Sequence, residues 1–285
     1  MNPGRQRTPV HRRRPGWQGV PVRRWTAVGV AGAALLFGAL GLLVAAVTPP
    51  FASADEAQHT AYAFELAHGS LPELDTPIRA WLPDMPGLPV GCAASPAQAR
   101  AAVDARAEQL CGVRLGRPLT EHDLVYTANH PPLFYVAEAV PLRLGVALGH
   151  PYAGFRAARM LDVVFGMGVV VATAALGRAL LPTRPAVAVG AAGVVATVGL
   201  LVATSGQVYN DALATATVTG LLAMTVAVVR RGPTPGTLAG LALCGPAAAA
   251  SRASGSVVLV ALVPVIGIGI AAHTAGRPAR RLACG

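Results

Sequence analysis

Lysine is missing from this chain, and all 23 basic residues of its 285 are arginine. Acids are scarce, 13 in number, and charged residues make up 13%, about half the share of a soluble domain. That shortage argues against an ordinary soluble enzyme. The apolar content of 53% excludes a disordered chain. No Gly-rich phosphate loop follows a strand pattern, so a nucleotide-binding fold has no support. No solenoid-period repeat is visible. None of the four cysteines (Cys92, Cys111, Cys244, Cys284) has a partner at CxxC spacing, which disfavours zinc.

What is present is a set of long apolar runs, with a mean hydropathy of +0.52. Trp25–Val47 runs for 23 residues without a charge. As a helix it is roughly 34 Å long, enough to cross a bilayer. Five more runs follow at Ala158–Leu181, Ala186–Thr204, Ala212–Val229, Thr237–Ala250 and Ser256–Ala272. All are rich in small residues, which let helix backbones approach closely in lipid. The fold class expected is an all-α polytopic membrane protein with six spans.

Charge is segregated along the chain. Eleven of the 13 acids fall between Asp55 and Glu138 against five Arg, a net of −6. The remaining 18 Arg face only Asp162 and Asp211, a net of +16. Basic residues are retained on the cytoplasmic side, so this asymmetry records orientation and gives no reason to invoke nucleic acid. Seven Arg precede the first run, which predicts a cytoplasmic N-terminus. Ala52-Ser53-Ala54 imitates a signal-peptidase site, but the run before it exceeds the usual core of about 7–15 residues. It reads as a retained anchor.

A seventh apolar stretch, Leu133–Gly149, carries Glu138 and Arg143. If it does not cross, Arg178/Arg184, Arg230/Arg231 and the Arg277–Arg281 group all share the side of the basic N-terminus. It is therefore expected as an amphipathic helix at the outer surface. The resulting layout is a basic tail (1–24), a first span (25–47) and an extracytoplasmic loop (48–157). A five-helix bundle (158–272) and a cytoplasmic tail (273–285) complete it. The loop would hold Cys92 and Cys111 in a compartment that permits a disulfide.

The loop opens with Pro49-Pro50-Phe51-Ala52-Ser53-Ala54-Asp55-Glu56-Ala57-Gln58-His59. Ser53 with Glu56 has the spacing of a capping box, so a helix should start there and stop at Gly69. Glu56 then has a structural role as the reciprocal cap. Asp55 either favours the positive helix end or serves as a carboxylate able to take a proton from an incoming hydroxyl. His59 shares a face with Asp55, but the run lacks the second His of a metalloprotease helix.

The P-P-F-x-x-x-D-E-x-x-H run after a first span, followed by Gly69, Leu71 and Pro72, resembles the bacterial GT-C-fold membrane glycosyltransferases. These include protein O-mannosyltransferases and lipid A aminoarabinose transferases. Asn129-His130-Pro131-Pro132-Leu133-Phe134-Tyr135 is similar to the family's P-P-L-x-Y segment. Ala157-Ala158-Arg159-Met160-Leu161 and Tyr209-Asn210-Asp211-Ala212 match two further blocks. The resemblance implies transfer of a sugar from a polyprenyl-phosphate donor to a cell-envelope glycan, lipid or protein acceptor, with a divalent metal left open. It places the catalytic base on Asp55, with Glu56 beside it. An Arg is the natural holder of the leaving phosphate, and Arg159, Arg156 and Arg252 are the candidates. Each has the alternative of snorkelling or pairing with an acid such as Asp162. His59, His130, Tyr135 and Asn210 are candidate sugar contacts, with helix caps and interfacial aromatics as their structural alternatives. The family usually has more spans than six. A transporter, a lipid flippase or a non-catalytic membrane subunit is the alternative function.

Overall fold

A computed structural model describes residues 22–53, 55–76 and 124–275. Among these, 81% are helical and none lies in a strand. In chain order the helices are α1 (Val22–Val47), α2 (Glu56–Ala67), a 3-10 turn (Tyr126–Asn129), α3 (Leu133–Ala147) and α4 (Pro151–Leu180). Then come α5 (Pro185–Ala196), α6 (Gly199–Ser205), α7 (Asp211–Arg231), α8 (Pro235–Ser251) and α9 (Ala253–Ala275). Cys92, Cys111 and Cys284 lie outside the described residues, and Cys244 is a half-buried free thiol on α8.

Helices α1, α4, α7 and α9 are each long and apolar enough to cross a membrane. A fifth crossing arises if α5 and α6, bent by 65° at their junction, count as one span. Large apolar side chains on these helices face outward, such as Leu43 at 59% and Val257 at 70% exposure. Contiguous apolar surface of this kind needs a lipid or protein cover. The helices fit a multi-pass membrane protein. Helix α8 has 17 residues, about 25 Å, short of the roughly 30 Å hydrocarbon core.

Helix α4 is the centre of the bundle, packed against α1, α3, α5 and α7. Small residues make those approaches possible. A Cβ at Gly166 would strike the Phe37 ring of α1 and Ser205 Oγ of α6. From its first turns at Pro151 to Leu180, α4 measures about 45 Å, more than a bilayer core.

Those first turns carry α3. Gly149, at φ +72°, reverses the chain, and α3 lies antiparallel along α4. Phe134 meets Phe165 at 6.3 Å between ring centroids, and Gly145 lies directly against Gly154. A Cβ at Gly145 would come within 2.6 Å of the Gly154 Cα. Fifteen residues are too few to cross, and α3 packs as a hairpin arm along α4. Its buried face carries Phe134, Tyr135, Ala139 and Leu142, and Arg143 is exposed. Glu138 is buried, while Val136, Val140 and Leu144 face out.

Among the described residues the acids sort to one bundle end, while the arginines divide between the two. Arg178, Arg184, Arg230 and Arg231 gather at the end where α4 and α7 finish and α5 starts. There the Arg230 guanidinium donates to the Leu180 carbonyl. Asp55, Glu56, Glu138, Asp162 and Asp211 belong to the opposite end, with α2, α3 and the starts of α4 and α7.

Candidate functional site

The acidic end is organised by helix α2 and the short segment Gly206–Asn210. Helix α2 starts at Glu56 and closes with a Schellman motif, where Gly69 (φ +86°) donates to Leu66 and Ser70 to Glu65. The expected stop at Gly69 holds. The expected capping box does not form. Asp55 occupies the cap position without a side-chain cap bond, and Glu56 reaches back to the Phe51 N–H at 2.9 Å. Glu56 turns inward because a stronger partner lies there.

That partner is Arg159. Its Nε donates to Glu56 Oε1 and its Nη2 to Oε2, both at 2.7 Å, in a side-by-side pair with 2% and 0% exposure. The rest of the guanidinium binds the end of α1. Nη1 donates to the Thr48 and Ala45 carbonyls at 2.6 and 3.1 Å, and Nη2 to the Pro49 carbonyl at 3.0 Å. All five N–H groups are therefore engaged inside the protein. Glu56 is equally complete, since its Oε1 also accepts the Val208 N–H at 3.2 Å. The pair closes α1, α2, α4 and the 206–210 segment together. Phe51 sits at φ +58°, uncommon for a bulky residue, held by its bond to Glu56 and its ring contact with Phe155.

Asp55 is only half-buried and stays outside this pair. Its N–H donates to the Tyr209 hydroxyl at 3.0 Å, and the Tyr126 hydroxyl donates to its Oδ1. Tyr209 arrives from the 206–210 segment and Tyr126 from the 3-10 turn, more than 70 residues away on either count. Neither tyrosine was singled out as a site residue in the sequence. Tyr209 stood within a matched block, and Tyr126 gave no signal beyond lying shortly before His130.

His59, His130, Tyr135 and Asn210 come together beside Asp55. The Tyr135 hydroxyl lies 2.9 Å from His59 Nδ1 and 3.0 Å from His130 Nδ1. Asn210 Nδ2 reaches His130 Nδ1 at 3.1 Å and the Ser251 carbonyl at 3.4 Å. Which of these atoms donates depends on the histidine tautomers. Burial, with the charges of His130 and Arg252, lowers the His59 pKa to about 3. Burial and Arg252 lower that of His130, and burial raises that of Tyr135. His59 also touches the Tyr209 ring at 5.1 Å, linking this network to Asp55.

Arg252 is the single extended residue between α8 and α9, and its guanidinium pairs with Asp211 at the start of α7. Both side chains are about 40% exposed. Beneath them a cavity of about 230 Å³ runs between α7 and α9, lined by Ala214, Val218, Thr219 and Val258. Arg156 is exposed on α4, outside the buried cluster. Asp162 accepts the Tyr209 N–H on Oδ2 at 2.6 Å, and its partner is not an arginine. Among the described residues, no group of three His, Cys, Asp or Glu side chains is placed to hold a metal ion.

The arrangement thus separates a fully satisfied ion pair (Glu56–Arg159) from an accessible carboxylate (Asp55) and an accessible guanidinium (Arg252). No protein-family model, characterised protein or solved structure matches this chain.

Proposed function

We propose that the chain is a membrane glycosyltransferase that moves a sugar from a polyprenyl-phosphate donor to an acceptor at the acidic end of the bundle. That end is then extracytoplasmic, both termini are cytoplasmic, and the short α8 completes six spans. The observation that carries this reading is the accessibility of Asp55. Its neighbour Glu56 is consumed by Arg159, while Asp55 is half-buried and oriented by Tyr126 and Tyr209.

In this reaction the acceptor hydroxyl gives its proton to the Asp55 carboxylate as its oxygen bonds to the anomeric carbon. The carbon–oxygen bond to phosphate breaks, and the electron pair leaves with the phosphate. A guanidinium is suited to that anion. Arg159 has no free donor, so the role passes to Arg252, half-exposed above the α7–α9 cavity. The cavity gives an apolar chain a place below the headgroup. His130, partly exposed, then faces the sugar side, with His59 and Asn210 buried behind it.

The test is transfer from polyprenyl-phosphate mannose and polyprenyl-phosphate aminoarabinose by the full chain in nanodiscs. Loss of a general base costs about 10²–10⁴ in rate, so Asp55→Asn should lower kcat by that factor at unchanged thermal stability. Wild-type turnover by the Asp55→Asn variant would remove Asp55 from the mechanism.

A further inference from the structure

Glu138 of α3 and Asp162 of α4 take no part in the proposed transfer, and each is 0% exposed. They sit on facing turns of the α3–α4 hairpin, between the Phe134–Phe165 contact and the Gly145–Gly154 contact. Among the described residues, neither Glu138 oxygen has a hydrogen-bond partner, nor does Asp162 Oδ1. Asp162 Oδ2 has the Tyr209 N–H, and Asp162 lies close enough to Glu138 and Glu56 to be affected by both charges. A buried carboxylate without a donor or counter-charge is rare in a folded protein and calls for an occupant.

The charges around the pair do not balance. From α2 comes Glu56, already neutralised by Arg159 of α4, whose five N–H groups are all used. His59 of α2 is held neutral, and Tyr135 of α3 is a neutral phenol. From α8, the Arg252 guanidinium at the helix end is bound to Asp211. The 206–210 segment contributes the Tyr209 N–H and phenol. Among the described residues no cation is left for the two carboxyls. Burial also pushes the Glu138 carboxyl well above its usual range, which favours uptake of a positive charge.

We propose that Glu138 and Asp162 form a small-cation site that holds one positive charge, a proton or a monovalent metal ion, between α3 and α4. With a proton, one carboxyl is neutral and donates to the other, as carboxyl pairs do when like charges cannot both ionise side by side. With a metal ion, the free carboxylate oxygens are its ligands. Either occupant removes the repulsion between the two arms of the hairpin. Because Asp162 also holds Tyr209, whose hydroxyl meets Asp55, occupancy is transmitted to the candidate base. The site stands independently of the glycosyltransfer reading.

The test uses the full chain in nanodiscs at neutral pH. Infrared spectra in H2O and D2O read the carbonyl stretch of a protonated carboxylic acid, and thermal unfolding is followed against Na⁺ at constant ionic strength. A protonated-acid band in the wild type that disappears in Glu138→Gln assigns a proton. No such band, with a Tm that rises with Na⁺ in the wild type and not in Glu138→Gln, assigns a metal ion. Asp162→Asn serves as the second variant if Glu138→Gln does not fold. Absence of both the band and the Na⁺ dependence in the wild type overturns the proposal.

Discussion

Replacing Arg159 by Met deletes the group that closes the acidic end, and the structure sets the size of the effect. The Glu56 carboxylate would remain fully buried with only the Phe51 and Val208 N–H groups, and three carbonyls at the end of α1 would lose their donor. Breaking a buried pair by removing one partner costs about 3–5 kcal/mol, because the remaining charge is left uncompensated. With roughly 3 °C of Tm per kcal/mol for a chain of this size, the expected loss is about 9–15 °C. Glu56→Met leaves the guanidinium unpaired and should lose a comparable amount. Arg159→Met combined with Glu56→Met removes both charges, so its loss should fall short of the sum by about 3 kcal/mol. Thermal unfolding of the four proteins in the same nanodiscs reads the cycle. A Tm for Arg159→Met within a degree or two of wild type, with transfer abolished, would refute the clamp and return Arg159 to substrate binding.

Two further outcomes follow from named contacts. His59 has a folded pKa of about 3 against 6.5 in the unfolded chain, so the unfolded state binds the extra proton between those values. Its contribution is fully present above about pH 6.5 and is lost as pH falls toward 3, by up to about 5 kcal/mol. His59→Gln should flatten that part of a denaturant-unfolding pH series, and an unchanged slope would contradict the neutral network. Gly145→Ala forces a Cβ against the Gly154 backbone, whereas Gly32→Ala meets nothing within 4 Å. The first should lower stability by about 1–3 kcal/mol despite the helix preference of Ala, and the second should raise it slightly. Equal Tm shifts in the two variants would contradict the α3–α4 hairpin.

The sequence made the apolar elements legible because lipid-facing helices must be long and uncharged, and α1 and α7 match their runs closely. It also made the gathering of the acids at one bundle end legible, but not the division of the arginines, since Arg143, Arg156, Arg159 and Arg252 stand at the acidic end. What it hid were changes of direction inside apolar runs. Ala186–Thr204 reads as one span, but the helix breaks at Thr197–Val198, where the Thr197 hydroxyl turns back to the Val194 carbonyl. Hydropathy is blind to that bend, yet the bend is what delivers Val208, Tyr209 and Asn210 to the site. Likewise the span expected from Ala158 begins at Pro151, because Arg156 and Arg159 interrupt the apolar pattern without interrupting the helix.

At the site itself, motif order brought Asp55, Glu56, His59, His130, Tyr135, Asn210 and Arg159 to one end of the fold. It did not reveal how their roles divide. Glu56 and Arg159 are 103 residues apart, and only tertiary packing shows that they satisfy one another. Glu138 served in the sequence merely as a charge that weakened a span. Its burial beside Asp162 is visible only once α3 folds back on α4.

The most direct measurement is an electron cryomicroscopy structure of the full chain in nanodiscs with polyprenyl phosphate bound. The account predicts the phosphate at Arg252, the chain in the α7–α9 cavity, and Asp55 facing the position of the anomeric carbon. A phosphate bound at the Arg230–Arg231 end, or one that displaces Glu56 from Arg159, would contradict it.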